Sequence, residues 1–484
     1  MVAFLLTKNL IYGNYKDMKI NLNDRTLIME FENPTEEKLI KNFVTYKDTS
    51  KCFAGGRYRK ELEKKVCLGK VIQEKYFVVF AGLTKEILVF CKENNIKISS
   101  IEDKRTHFDF QKKEWTHDEL REFFPKEFNY VEHQINALQQ MIKTNTGLIV
   151  AATSAGKSSI IKSFIKLTGL PTLILVDRST LGKQLRDDLV SYGLDCGFCG
   201  DGKRIEGYNM VSTIQSVKKV PNMTSYKCLV IDEVHRSSSN SFQEFLKQYG
   251  CPLKFGFTAS PYNGDYLKYA TIRQFFGSPL IKIGAQELME NGVMAHAKIN
   301  LVKNVCEEIP DYVGAYDYNI THGERRNQKI ADIANSYKDG IAILVRTIDH
   351  GEELMKLIPD AVFIRGETSL NDRMKIIKDF NEGKIRVLIG SGILNEGISI
   401  SNMKVLIMAS SGKAISQTIQ KIGRVLRITK DKKEGIFYDF IDTGNKILEK
   451  QSKNRLRIYK KEGYDDIHIL DENLEEIKLD KKSK

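Results

Sequence analysis

The sequence predicts an α/β fold in which two parallel β-sheets, each flanked by helices, follow a small α+β region. Three observations lead to this prediction. Apolar runs typical of fully buried strands alternate with helical patterns through the middle of the chain. One of these runs, at residues 148–152, leads through a turn of small residues into a helix. A second series of strands and helices begins after a linker near residue 297.

The chain contains 484 residues, the length of about three ordinary domains. We place an accessory α+β region that could bind DNA at residues 1–115, a first α/β half at 116–296 and a second at 297–450. Residues 451–484 would form a basic C-terminal tail, in which basic side chains at helical spacing surround Tyr459. That helix could contact nucleic acid or could simply be solvated.

The chain is basic, because 75 Lys and Arg residues oppose 62 Asp and Glu residues and give a formal charge of +13. This balance favours a polyanionic partner, with a solvated basic surface as the alternative. No apolar run approaches the roughly 18 residues that would cross a bilayer, and Lys8, Asn9 and Asn14 interrupt any signal-peptide pattern. We expect a soluble protein of the bacterial or phage-infected host cytoplasm, with no membrane partner.

The first 115 residues carry no nucleotide-binding pattern. The runs Thr26–Phe31 and Tyr76–Phe80 are typical of strands, and Leu83–Lys92 is typical of a short helix. Basic residues follow Gly55-Gly56, where they could contact phosphates or form a solvated helix face. A pair of cysteines, Cys196 and Cys199, has no second pair at zinc-ligand spacing, so we do not expect a metal there.

The stretch Leu148-Ile-Val-Ala-Ala-Thr-Ser-Ala-Gly-Lys-Ser-Ser159 predicts a phosphate-binding loop, although Ala151 stands where the common pattern has Gly. The turn would expose backbone N–H groups, and the following helix would direct its positive end at the same place. Lys157 would reach the β- and γ-phosphates, and Ser158 would bind Mg²⁺. The alternative is a chance turn of small residues. The expected nucleotide contacts are Thr153, Ser154, Ala155, Gly156, Lys157, Ser158 and Ser159.

Strand and helix patterns alternate after the loop, with strands at Thr172–Val176, Met210–Thr213 and Cys228–Asp232 and a helix at Leu181–Tyr192. Ligands of such sheets lie at the carboxyl ends of the strands. Asp232 and Glu233 follow one such end, where Asp232 could hold Mg²⁺ and Glu233 could orient or deprotonate the attacking water. Their alternative role is to cap a helix.

Upstream of the loop, an amphipathic helix is predicted from about residue 130 to Lys143, and Gln134 lies near its start. A glutamine at this place can hydrogen-bond both edges of the adenine amino-purine, whereas a glutamine on an ordinary helix surface is the alternative.

Together these motifs resemble those of the superfamily 2 helicases and translocases. The residues that carry the resemblance span 130–430 in the family's order: Gln134, Ala151 to Ser158, Asp232-Glu-Val-His235, Thr258-Ala-Ser260 and Gln420-Lys-Ile-Gly-Arg-Val-Leu-Arg427. The run Thr153 to Ser158, with Ser154 where most members have Gly, looks like the phage UvsW group of branch-migrating DNA helicases. The resemblance implies two RecA-like domains with ATP and Mg²⁺ between them.

The resemblance also implies individual roles. Gln134 would recognise adenine, while Arg424 and Arg427 would face the γ-phosphate from the second domain, so that hydrolysis is coupled to domain movement. Asn395-Glu-Gly-Ile-Ser399 matches a further motif in which many relatives have Asp at the position of Ser399. Positions expected to line the nucleic-acid track are Arg178, Thr213, Thr347, Arg365, Gly366 and Ser391.

We therefore expect an ATP-dependent DNA helicase or translocase that acts on branched, forked or duplex DNA in replication, recombination or repair. Three alternatives remain: an RNA helicase, the motor subunit of a restriction or repair nuclease, and a non-hydrolysing ATP-gated DNA-binding module. Glu233, Arg424 and Arg427 argue against the last. The sequence leaves the oligomeric state open, with a monomer favoured.

Overall fold

The computed structural model describes residues 17–48, 53–54, 57–58, 63–125, 132–236, 240–259, 266–390, 400–412 and 434–477. The chain divides into two compact units, Met1–Ala151 with Gly156–Lys282 and Ala152–Ala155 with Ile283–Lys484. Within the described residues, no helix is both long enough and apolar enough to span a membrane.

The N-terminal region is a five-stranded sheet with the spatial order β7-β8-β2-β1-β9. Its pairs are antiparallel apart from β1 with β9. Burial alternates along β2 and β8, because one face of the sheet packs on helices α1 and α2. The elements are β1 Met18–Leu22, β2 Thr26–Glu30, α1 Pro34–Phe43, β3 Thr45–Asp48, β4 Phe53–Ala54, β5 Arg57–Tyr58, β6 Lys64–Cys67, β7 Lys70–Ile72, β8 Tyr76–Phe80, α2 Thr84–Glu93, β9 Ile98–Asp103, α3 Asp109–Lys112 and α4 His117–Arg121.

The predicted strands and the helix of this region are confirmed. One prediction needs correction: the described parts of the basic run after residue 56 are strands, with β3 paired to β6 and β4 paired to β5. The interpretation of that run as a helix face is therefore wrong. Gly55 and Gly56 lie outside the described residues.

The first α/β sheet has eight strands in the order β13-β12-β14-β11-β15-β16-β10-β17. The pairs from β12 to β10 are parallel, and β13 is antiparallel to β12. Its elements are α5 Glu132–Ile142, β10 Thr146–Ala151, α6 Lys157–Thr168, β11 Thr172–Val176, α7 Ser179–Ser191, β12 Cys196–Gly200, β13 Lys203–Ile205, β14 Asn209–Thr213, β15 Cys228–Ile231, α8 Asn240–Gln248, β16 Leu253–Thr258, α9 Tyr266–Phe276 and β17 Pro279–Ile283.

The central strands of this sheet correspond to unbroken apolar runs in the sequence. Every residue of β11 and of β15 is buried, because helices cover both faces of the sheet. Cys196 and Cys199 are both buried in β12, where a separation of three residues directs their side chains to opposite faces.

The N-terminal region packs tightly on the first α/β sheet. The ring of Phe80 lies 4.7 Å from that of Phe275. Glu86 accepts a hydrogen bond from Ser278 and lies 3.1 Å from Arg273 Nη1. A Cβ on Gly82 would lie 2.6 Å from the carbonyl oxygen of Gln274, so only glycine permits this approach.

The second unit contains a seven-stranded sheet with the order β20-β21-β19-β22-β23-β18-β24, in which every pair is parallel. This confirms the predicted architecture of two parallel sheets behind a small α+β region. Its elements are α10 Ala285–Glu290, β18 His296–Val305, α11 Tyr312–Tyr316, α12 Glu324–Asn335, β19 Ile341–Leu344, α13 Ile348–Leu357, β20 Ala361–Ile364, α14 Leu370–Asn381, β21 Val387–Gly390, β22 Val405–Met408, β23 Glu434–Thr443, α15 Lys446–Lys461 and β24 Ile467–Leu470.

The basic helix expected near the C-terminus is α15, and its two faces differ. Gln451, Arg455 and Tyr459 are buried against the sheet, whereas the other basic side chains of the helix are exposed. β24 then pairs with β18, so residues 446–470 complete the second sheet.

A buried lysine joins the N-terminal region to the first α/β sheet. Lys254, at the start of β16, is 5% exposed, and its Nζ donates a hydrogen bond of 2.5 Å to the carbonyl oxygen of Asp24. The Asp24 carboxylate in turn accepts hydrogen bonds from the backbone and hydroxyl of Thr106. Burial lowers the pKa of Lys254 to about 8.

This lowered pKa predicts a pH-dependent stability. Between pH 8 and 10.5 the folded chain binds fewer protons at Lys254 than the unfolded chain, so this group's contribution to the free energy of unfolding rises with pH. The rise is of order 3 kcal/mol, from roughly 1.4 kcal/mol per pKa unit. We expect the melting temperature of the natural chain, measured relative to that of Lys254→Met, to increase across this interval. The exposed Lys219, replaced in the same way, is the control, and a parallel pH profile for all three proteins would contradict the prediction.

Candidate nucleotide-binding and hydrolysis site

The predicted phosphate-binding loop connects β10 to α6. Gly156 precedes α6 with φ +77°, in the left-handed region. A Cβ at this position would lie 2.2 Å from Gln134 Nε2. The backbone conformation therefore favours glycine, and a Cβ at this position would in addition have to displace the end of the Gln134 side chain.

Ser154 also adopts a left-handed conformation, with φ +75°. Such a conformation costs a non-glycine residue about 1 kcal/mol or more, so the backbone at this position favours glycine. Ala155 is fully buried, Ser159 is 7% exposed, and Thr153 and Ser154 are half-buried. Ser158 is exposed in the first turn of α6.

Gln134 lies in the first turn of α5 and is 5% exposed. Its Oε1 atom has no hydrogen-bond partner within the described part of the chain. A buried acceptor without a donor is unfavourable, and the amino group of adenine would supply the missing donor. The side chain therefore fits the role expected for it.

Three charged side chains meet beside the loop. Lys157 Nζ lies 3.5 Å from Glu233 Oε1 and 3.5 Å from the carbonyl oxygen of Ala151. Asp232 follows β15, and its backbone N–H donates to the carbonyl oxygen of Leu175 in the neighbouring strand. Burial of its carboxyl group, together with the charge of Glu233, raises the pKa of Asp232 to about 6.

Glu233 is held in an uncommon conformation, with φ +51°. Its backbone N–H donates to Asp232 Oδ1 at 3.0 Å, and its Oε2 atom lies 3.3 Å from His235 Nδ1. The same nitrogen of His235 lies 2.9 Å from the hydroxyl of Thr258, at the end of β16. His235 thus connects the acidic pair to the next strand.

His235 and Thr258 belong to the sequence motifs, but sequence reasoning gave neither a site role. The sequence feature that could have indicated these two residues is the Asp-Glu-Val-His run together with the Thr-Ala-Ser run at the end of the following strand. Sequence spacing could not show that the two runs touch, because their contact depends on the parallel pairing of β15 with β16. Ser260 lies outside the described residues.

Both nucleic-acid positions expected in the first unit lie at or just after the carboxyl end of a strand. Arg178 comes after β11 and remains 42% exposed in its side chain, with Asp177 3.8 Å away. Thr213 ends β14 but is 3% exposed, and its hydroxyl accepts a hydrogen bond from Ser216 N–H. Direct contact with nucleic acid stays a prediction for both.

In the second unit, Thr347 follows β19 and caps α13 by accepting a hydrogen bond from His350 N–H. Arg365 is exposed after β20, where its guanidinium lies 3.1 Å from Glu352, and Gly366 is exposed beside it. Their contact with nucleic acid also stays a prediction. Ser391, Arg424 and Arg427 fall outside the described residues.

Comparisons with known proteins match one family model in each of the two compact units of the chain. Residues 127–263 match the family described as "Type III restriction enzyme, res subunit", and residues 319–429 match "Helicase conserved C-terminal domain". A putative helicase 22 of Sulfolobus islandicus filamentous virus is 24% identical over 470 residues, which cover 87% of this chain and 80% of that protein.

Two further matches are a relative found by sequence and a solved structure with a similar fold. The ATP-dependent DNA helicase uvsW of Enterobacteria phage T4 is 26% identical over 362 residues, covering 68% of this chain and 71% of that protein. A fragment of a putative HsdR subunit of a type I restriction enzyme from Vibrio vulnificus YJ016 shares the fold, with a TM-score of 0.54 and 16% identity over 92% of this chain and 83% of that chain.

A phosphate-loop domain followed by a helicase C-terminal domain is the arrangement of motor proteins that are driven by a nucleotide. The chain belongs to the superfamily 2 helicases and resembles the UvsW group of phage helicases within them. It is therefore an ATP-dependent helicase or translocase that acts on nucleic acid.

The contact between Gly156 and Gln134 predicts the effect of a single methyl group. Gly156→Ala introduces both left-handed strain and a clash, so we expect ATP affinity to fall at least tenfold in a titration with a fluorescent ATP analogue. Gly169 at the other end of α6 also has a left-handed backbone, with φ +60°, and apart from its chain neighbours no atom of the described residues lies within 4 Å of the place that a Cβ would occupy there. Gly169→Ala is therefore the matched control for strain. Equal affinities of the two variants would show that the contact with Gln134 is unimportant.

Proposed function

We propose that this chain is a DNA helicase that uses MgATP to unwind or branch-migrate forked and junction DNA. The observation that carries the proposal is the cluster of Lys157, Asp232 and Glu233 beside the phosphate loop, at the carboxyl ends of parallel strands. The helicase C-terminal domain downstream supports a motor over a simple nucleotide-binding protein.

The ion pair between Lys157 and Glu233 suggests how ATP binding prepares hydrolysis. A triphosphate offers Lys157 more negative charge than one carboxylate does, so Lys157 leaves Glu233 for the phosphates. Glu233 can then accept a proton from the attacking water. His235, tied to Thr258, limits where that carboxylate can move.

Ser158 and Asp232 are the groups in this site that would hold Mg²⁺, one through an exposed hydroxyl and the other through a carboxylate. The ion would neutralise charge on the phosphates when bound. Backbone N–H groups at the start of α6 would supply the remaining contacts.

Arg424 and Arg427 would complete the site from the second domain. Arginine suits this role because it is permanently charged and can contact two phosphate oxygens. What supports the assignment is the match of residues 319–429 to the helicase C-terminal domain, which includes both positions. Coupling of hydrolysis to movement along DNA follows if these arginines reach ATP only in a closed state.

DNA is favoured over RNA because the phage T4 relative is a DNA helicase, while the formal charge of +13 suits a polyanion of either kind. The family description of residues 127–263 keeps a restriction-type motor as the second candidate.

One side-by-side measurement tests this proposal. We expect forked and four-way DNA to raise the ATPase rate of the protein most strongly, with linear duplex and single-stranded DNA weaker and RNA weakest. A control with Lys157→Ala should show no stimulation by any of them. Stronger stimulation by RNA would contradict the DNA assignment, and ATP-dependent nicking of plasmid DNA would favour the restriction-type motor.

A further inference from the structure

Helix α15 carries a row of basic side chains, the α15 stripe, on the face opposite its buried one. At 3.6 residues per turn, spacings of three and four residues place the members of the stripe within an arc about 80° wide. The buried face, which includes Gln451, Arg455 and Tyr459, lies on the other side of the helix. The members of the stripe, all exposed, are Lys446, Lys450, Lys453, Arg457 and Lys460.

The α15 stripe is long enough to follow a nucleic-acid backbone. With a rise of about 1.5 Å per residue, its first and last members lie about 21 Å apart along the helix axis. Each strand of duplex DNA has one phosphate per about 3.4 Å of the duplex axis. The stripe can therefore lie beside several phosphates of one strand.

The acids of α15 do not balance this charge. Glu449 is the one acidic residue in the sequence of the helix, and it pairs with Lys453. Within the described part of the chain, the side chains of Lys446, Lys450 and Lys460 form no ion pair. Like charges three or four residues apart destabilise a helix. A partner of opposite charge therefore explains the stripe better than the stability of the helix does.

The helix dipole accounts for one end of the stripe and not for the other. A cation is favourable in the last turn of a helix, which suits Lys460, but it is unfavourable in the first turn. Lys446 is the first residue of α15, and Lys450 lies one turn further along. The basic character of these two residues is thus not explained by the helix itself.

The stripe begins at the carboxyl edge of the second sheet. α15 follows the carboxyl end of β23, and β23 is parallel to its neighbours β22 and β18. Thr347 and Arg365, two of the expected nucleic-acid positions, follow β19 and β20 at the same edge. Ligands of parallel sheets lie at this edge. A strand of nucleic acid held there would therefore be close to the start of the stripe.

We propose that the α15 stripe binds the phosphate backbone of duplex DNA. The proposal rests on the proposed function, because it takes DNA as the partner, and it adds a contact surface outside the helicase motifs. Lysine and arginine side chains that contact phosphates do not read the bases. Binding at the stripe is therefore independent of DNA sequence and weakens as the salt concentration rises.

The test compares two triple variants of the full chain with the natural protein. In the stripe variant, Lys446, Lys450 and Lys460 are replaced by Gln, which removes three charges and keeps a similar helix propensity. The affinity for a duplex of arbitrary sequence is measured by fluorescence anisotropy without nucleotide, at several salt concentrations, and the melting temperature is measured for each protein. The control variant loses the same charge, by the same replacement, from three exposed lysines that precede β19, β20 and β21 at the opposite edge of the sheet: Lys338, Lys356 and Lys384.

We expect the stripe variant to bind duplex DNA at least tenfold more weakly at about 50 mM salt. Each phosphate contact adds about 0.9 to the slope of log affinity against log salt concentration, so the loss of three contacts should make this slope shallower by about 2 to 3. The control variant should lose less than about threefold in affinity, because it changes only the net charge. The melting temperature of the stripe variant should be unchanged or higher, since like charges are removed from α15.

The outcomes separate this proposal from the proposed function. If the natural protein unwinds forked DNA while the two triple variants bind duplex DNA equally well, the stripe proposal alone is overturned. If the stripe variant loses affinity and slope as expected but the natural protein does not unwind DNA, the proposed function fails and the stripe proposal is supported. If the stripe variant does not fold, Lys450→Gln decides, because it should reduce the slope by about 0.9 relative to Lys356→Gln. Equal slopes for these two single variants would overturn the stripe proposal.

Discussion

The ion pair of Lys157 with Glu233 is the interaction on which the candidate site depends. It joins the phosphate loop after β10 to the acidic pair after β15, two strands separated by β16 in the sheet. Without the lysine, two adjacent carboxylates would repel each other, and burial already raises the pKa of Asp232 to about 6. The lysine thus lets both acids stay close to the place where phosphates would bind.

The parallel sheet is what makes that arrangement possible. All strands of a parallel sheet have their carboxyl ends at the same edge. The residues at the ends of β10, β11, β14, β15 and β16 therefore lie side by side at that edge. The apolar runs at residues 172–176 and 228–231 are unbroken because helices cover both faces, which is also why these strands could be predicted from sequence. Their register, and with it the contact of His235 with Thr258, could not be predicted, since it depends on which strands become neighbours.

Contacts and local structures that depend on how segments pack together could not be predicted from the sequence either. The sequence pattern predicted the loop around Gly156, but the contact of that glycine with Gln134 depends on how α5 packs near α6. The basic run after residue 56 resembled a helix face by its spacing, yet its described parts pair as short strands, because β3 and β4 are available as partner strands. Arg455 and Arg326 looked like ordinary basic residues in the sequence, and only their burial beside Asp439 and Asp442 distinguishes them.

We infer that the acids beside Lys157 take part in ATP hydrolysis, and Glu233→Gln tests this claim most directly. The substitution keeps the size of the side chain and removes its ability to accept a proton. The ATP affinity and the turnover with saturating DNA are measured on the same protein. We expect the ATP affinity to be unchanged or slightly higher, because Lys157 loses a competing carboxylate. The turnover should fall about 10²- to 10⁴-fold. Turnover within about twofold of the natural protein would contradict the claim.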